Sequence, residues 1–180
     1  MPLIKDGTLE NDPWVLIKEG EVLSKSSPSI LSLNRLLDEY AKIGNYDLPI
    51  GLRLKSDEFA EQINVDINKL SLIELEFPVF TDGRAYSNAR IIREQLKYKG
   101  ELRAVGNVLR DQFLFMHRCG FNSFKIKEEE SLAGWLSAIT SLSVWYQPTS
   151  DLRVCAPYLR SAKTHDDTPR KILDVEADIK

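Results

Sequence analysis

From residue 50 onward the chain alternates short apolar runs with amphipathic stretches four times, and this alternation limits its possible folds more than any other feature. Residues 50–54, 70–77, 102–105 and 123–126 read as strands, each bounded by polar or turn-forming residues. After the first, Asp57 stands where it would cap a helix running through Phe59, Ala60 and Ile63. After the second, Ala85, Ala89, Ile92 and Leu96 mark a helix closed by Lys97, Lys99 and Gly100. A third helix is expected over 108–118, ending at Gly120, and a fourth places Leu132, Trp135, Leu136, Ile139 and Leu142 on one face. Connections of this length exclude hairpins, so the strands should be parallel and the crossovers right-handed. The expected class is α/β: a mostly parallel four-strand sheet of βα units, either an open three-layer sheet or a half-barrel.

Upstream, the turns Asp6-Gly7 and Glu19-Gly20 sit between short β-prone runs, which predicts a small β-hairpin appendage over residues 1–25. Residues 24–29 form a polar linker. Leu33, Leu36, Leu37, Tyr40 and Ala41 then define a helical stripe, with Ser32 placed to cap it and Gly44 to end it. Periodicity is lost beyond Gln147-Pro148. The expected organisation is one α/β domain over 1–160, with its βα core at 50–146, and a tail over 161–180.

Hydrophobic residues at 43% and charged residues at 28% exclude wholesale disorder. No apolar run nears the roughly 20 residues of a membrane span, and the N-terminus lacks the apolar block of a signal peptide, so a cytoplasmic protein is expected. Cys119 and Cys155 match neither a redox pair nor a metal quartet and are read as thiols. The net charge of −3 argues against a nucleic-acid partner. Its distribution is uneven: residues 1–76 hold 8 Lys and Arg against 14 Asp and Glu, whereas residues 77–120 hold 8 against 4. A middle segment of opposite sign points either to an anionic ligand or acidic partner surface, or to ordinary surface scatter.

Ligands of parallel sheets bind outside the carboxyl ends of the strands, where loops lead into helix N-termini. Two such loops are unusual. The first, over residues 77–87, carries Thr81, Asp82, Gly83, Arg84, Tyr86 and Ser87. Thr81 or Asp82 can cap the helix, and Gly83 allows close backbone approach. An arginine in the first helical turn opposes the helix dipole, so Arg84 needs a carboxylate or an external anion. The next loop repeats the arrangement with Gly106, Asn107 as the cap, then Arg110 and Asp111. Arg84 and Arg110 could therefore flank one anion; the plainer alternative is an internal pair such as Arg84 with Asp111. These ten residues are the candidate anion- or partner-binding set.

Arg90 and Arg93 are expected to be solvated. His117 and Cys119 lie at the far end of their helix, Glu74 and Glu76 share one face of a strand without catalytic partners, and Glu128, Glu129 and Glu130 suit a helix start. Trp135, Trp145 and Tyr146 read as core or interface aromatics. No metal, dinucleotide or flavin motif is present, and no cofactor is expected.

The run from Phe77 to Ser87, continued by Gly100 to Gln112 and by Arg118-Cys119-Gly120-Phe121, resembles a bacterial family of unknown function whose members are often labelled as oxidoreductases of sulfite reduction. The resemblance covers roughly residues 1–160, including the opening Pro-Leu-Ile-Lys-Asp-Gly and Tyr146-Gln147-Pro148. The label reflects genes that lie beside those of sulfite reductase haemoprotein and phosphoadenylylsulfate reductase. Where that family usually has Gly-Asp-Val-Leu, this chain has Asn107, which still caps but removes a carboxylate. The resemblance implies an accessory protein of assimilatory sulfite reduction that binds a small oxyanion, docks on sulfite reductase or another sulfate-assimilation enzyme, or does both. The alternatives are a small α/β enzyme, an oxidoreductase or transferase acting on a sulfur or phosphate compound, and a pure adaptor.

Overall fold

The computed structural model describes residues 2–43, 46–126, 132–140, 145–147, 149 and 155–162. The strands are β1 (Leu3–Lys5), β2 (Thr8–Glu10), β3 (Val15–Leu16), β4 (Ser29–Ser32), β5 (Ile50–Leu54), β6 (Leu72–Phe77), β7 (Glu101–Gly106) and β8 (Ser123–Lys125). The helices are α1 (Leu33–Ile43), α2 (Arg84–Arg90), α3 (Phe113–Arg118), α4 (Leu132–Thr140) and α5 (Ala156–Ala162). Among the described residues no helix is long and apolar enough to cross a membrane.

The fold is mixed α/β, but the sheet has eight strands, in the order β2-β1-β8-β7-β6-β5-β4-β3, rather than four. From β3 to β8 each strand lies parallel beside its predecessor, while β1 is antiparallel to both β2 and β8. Right-handed crossovers between consecutive neighbours place every connecting helix on the same face, which a doubly wound sheet does not do. The sheet also has to curl. Laid flat, its seven gaps of about 4.8 Å would separate β2 from β3 by about 34 Å. Only residues 11–14 join these two edges, and five steps from Glu10 to Val15 reach about 18 Å at most. The result is a half-barrel with residues 11–14 strapped across its hollow side.

The Asp6-Gly7 hairpin forms as expected, with both residues at positive φ, yet β1 pairs with β8 and so joins the main sheet. The second turn makes no hairpin. Glu21 N–H closes it onto Lys18 O, and β3 instead pairs parallel with β4, a strand hidden within what reads as polar linker because serines bracket Ile30 and Leu31. The helix expected after Asp57 is replaced by 3₁₀ turns at Ala60–Gln62 and Ile67–Lys69. The Asn, Asp and β-branched residues over 64–68 disfavour helix, and Asn88 holds the first turn by accepting from Ala60 N–H and donating to Glu58 O. The helix expected over 108–118 begins only at Phe113, after a 3₁₀ turn at Arg110–Gln112. Helix α2 continues as a π-turn over Ile91–Gln95. There Arg93 is not solvated: it donates to Gly120 O, Tyr98 O and Gly100 O and so ties the π-turn to the loops that lead into β7 and β8. Gly44 and the acidic run 128–130 lie outside the described residues, as does nearly all of the expected tail; α5 was not anticipated because its seven residues show no apolar stripe.

The convex face carries the core. Across it run the registered rows Leu31, Leu52, Ile73, Leu102 and Leu54, Leu75, Ala104, Phe124, Ile4, all buried. Leu33 and Leu36 of α1, Ala85 and Ala89 of α2, Phe113 and Met116 of α3 and Trp135 of α4 close over them. At the exit of β7, Gly106 has φ of +93°, and a Cβ there would lie 2.4 Å from Phe77 O, the acceptor of the 2.7 Å bond from Asn107 N–H. Gly106→Ala is therefore expected to destabilise the protein by about 2 kcal/mol or more, measured by urea unfolding.

Candidate functional site

Strands β6 and β7 are neighbours paired to their carboxyl ends, with Phe77 opposite Gly106, so the two expected loops do lie side by side on one rim. Gln112 donates from Nε2 to Phe80 O at 3.0 Å and joins them. Arg84 has its partner within its own loop. Its Nε and Nη2 bond both Asp82 oxygens, at 3.0 and 2.7 Å, and Nη2 also donates to Ser56 Oγ at 3.0 Å. Arg84 N–H adds a third bond to Asp82 Oδ1, and these contacts hold the Asp82 carboxyl well below its ordinary range. The internal pair is thus Arg84 with Asp82, not Asp111.

Arg110, Asp111, Thr81, Gly83 and Ser87 are exposed, and Arg110 makes no ion pair among the described residues. Asn107 does not cap a helix; its N–H closes the turn onto Phe77. Tyr86 packs edge-on to Phe77 and against Phe115, and burial pushes its hydroxyl up to about 12. Around these groups Val79, Phe80 and Phe115 stand 51%, 54% and 51% exposed.

A second constellation lies on the hollow face. One registered row crosses the sheet as Thr8, Lys5, Ser123, Arg103, Glu74, Arg53 and Ser32. Arg103 and Glu74 are fully buried. Arg103 donates from Nη2 to Glu101 Oε1 at 2.6 Å, and from Nη1 to Asp12 Oδ1 at 2.9 Å and Glu74 Oε1 at 3.2 Å. Glu74 takes Arg53 on its other oxygen at 2.8 and 2.6 Å, Lys5 lies 3.0 Å from Glu101, and Lys125 donates to Asp12 Oδ2 at 2.7 Å. Burial alone would raise the Asp12 and Glu101 carboxyls, but both are lowered on balance: Lys125, Arg103 and Trp14 N–H act on Asp12, and Arg103, Ser123 and Lys5 on Glu101. Glu74 therefore does have partners, on both sides. The visible signal was charge inside three mainly apolar strands, Arg53 in β5, Glu74 and Glu76 in β6, and Glu101 and Arg103 in β7, which only pairing register turns into a cluster. Among the described residues no group of acids, histidines or cysteines is arranged to hold a metal. A groove of about 480 Å³ lined by Leu23, Ser29, Tyr46 and Ile50 opens at the amino ends of β4 and β5, away from the rim.

The sequence profile of a bacterial family described as "Bacterial protein of unknown function (DUF934)" matches residues 51–156. The chain belongs to this family. The DUF934 match takes in both rim loops together with Arg53, Glu74, Arg103 and Lys125, and stops short of Lys5 and Asp12. A comparison with curated proteins finds no match.

Removing Arg103 takes a charged donor from three carboxylates at once, each left with a single cation, so Arg103→Met is expected to cost about 3–5 kcal/mol in urea unfolding. Because Asp12 and Glu101 hold their protons less tightly folded than unfolded, their contribution is complete above about pH 5 and is lost as pH falls through the folded values, below 3.8 and 4.5. Stability measured between pH 7 and pH 2.5 should fall on the acid side only, and less steeply in Asp12→Asn.

Proposed function

We propose that this DUF934 protein is an accessory protein of assimilatory sulfite reduction that docks on a partner enzyme through the carboxyl rim of its half-barrel. The observation that carries this reading is the exposed apolar side chains of Val79 and Phe80 on the loop after β6 and of Phe115 on α3, two elements joined by the Gln112 bond to Phe80 O. Apolar side chains clustered on an ordered rim and bordered by charge are the mark of an interaction surface. Arg84, bonded through both its Nε and Nη2 to Asp82, has little left for a free oxyanion, which favours a protein surface over a small ligand at this rim. Arg110, exposed and without an ion pair among the described residues, offers a positive charge to an acidic group of the partner. The partner's identity, sulfite reductase haemoprotein, rests on the family resemblance alone.

The test is biolayer interferometry against immobilised sulfite reductase haemoprotein. Wild type should bind, more weakly as salt rises, and Val79→Ser with Phe80→Ser should weaken binding at least tenfold while leaving the circular dichroism unchanged. Absence of wild-type binding, or equal binding by the folded double variant, overturns the proposal.

A further inference from the structure

Every member of the ionic row on the hollow face is borne by a strand except Asp12, which arrives on the strap of residues 11–14. Without that carboxylate the bonded cluster would hold four cations, Lys5, Arg53, Arg103 and Lys125, against two acids, Glu74 and Glu101; Glu10 and Glu76, on the same face, make no ion pair with it among the described residues. Such an excess of positive charge around a fully buried guanidinium is not tolerated without an anion. The site for that anion is well defined. Arg103 Nη1 meets one oxygen of Asp12 at 2.9 Å and Lys125 Nζ meets the other at 2.7 Å, with Trp14 N–H at 3.2 Å as a third donor. Two charged donors thus converge on two oxygens of a single centre, the edge that carboxylate, sulfate and phosphate share. Asp12 is only 9% exposed, whereas Lys125 is 25% exposed and marks the open side. The strap itself is held lightly: Asn11 and Pro13 are exposed, and its other anchor is the Trp14 ring lying over Gly51, where a Cβ would come within 3.2 Å.

We propose that Arg103 and Lys125 form a binding site for a small oxyanion and that Asp12 is a tethered internal occupant of it, which an external oxyanion displaces as the strap lifts. A tether of four residues holds its carboxylate at an effective concentration of about millimolar or above, so wild-type protein binds free anions weakly. This site is distinct from the rim and stands or falls independently of docking.

Asp12→Asn keeps the shape and an acceptor for Trp14 N–H while removing the charge. Titration calorimetry with sodium sulfate, sodium phosphate and sodium acetate at constant ionic strength in chloride should give binding at least tenfold tighter in Asp12→Asn than in wild type. The gain should vanish in Asp12→Asn with Lys125→Ala. If the single variant folds only when sulfate is added, that rescue also supports the site. A folded Asp12→Asn with wild-type affinity, a gain that survives loss of Lys125, or an unfolded variant that sulfate does not rescue overturns the proposal.

Discussion

The buried guanidinium of Arg103 is the constraint on which the rest of the architecture depends. A charge removed from water must be met by opposite charge and by hydrogen bonds, or the fold is lost. Here the partners come from β6, from β7 itself and from the strap, with Ser123 of β8 beside them, so satisfying one side chain fixes the register of three neighbouring strands. The same contacts draw in Arg53 and Lys5 through the shared acids, which extends the row to β5 and β1. The convex face supplies apolar burial and is tolerant of slippage by similar residues. The hollow face is not, because a slip of two positions, which keeps each face but changes its partners, would take Glu74 from between Arg53 and Arg103.

The rim shows the opposite economy of charge. Asp82 and Arg84 lie within three positions of one another, satisfy each other in water, and stabilise a loop whose neighbours Val79 and Phe80 remain uncovered. Beneath them Tyr86 is fixed between Phe77 and Phe115 and keeps its proton over the whole physiological range. These features describe a partly apolar edge whose rings stand open to solvent.

The four strands from residue 50 onward were legible because Ile50 to Leu54, the segment before Pro78, and the runs ending at Gly106 and Ile126 are mainly apolar and bounded by polar or turn-forming residues, whereas the helix expected after the first of them is absent. Strand β4 was not, since Ser29-Ile30-Leu31-Ser32 offers two apolar residues between hydroxyls, and its burial follows only from lying between β3 and β5. The adjacency of the Arg84 and Arg110 loops hung on strand order, which the sequence does not carry, and follows from the pairing of β6 with β7. The pairing of Arg84 with Asp82 required side-chain geometry, and local contact won because the two groups are never far apart. The hollow-face cluster was illegible for a further reason: Asp12 and Arg103 are 91 positions apart, and nothing local in residues 11–14 announces that they cross a sheet. The outer strand pairs have the same origin, for Leu3 to Lys5 read as a self-contained hairpin until β8 is brought beside it.

That pairing of the earliest strand with the last one sets an order of events during synthesis. Residues 3–5 are made well before residues 123–125 and have no main sheet to join until those follow. Strands β4 to β7 can assemble stepwise from neighbouring contacts, whereas the opening hairpin must wait through more than a hundred further residues, a long and slow loop closure. Closure of the half-barrel therefore rests on the longest-range strand pairing among the described residues, with residues 3–5 as its clasp.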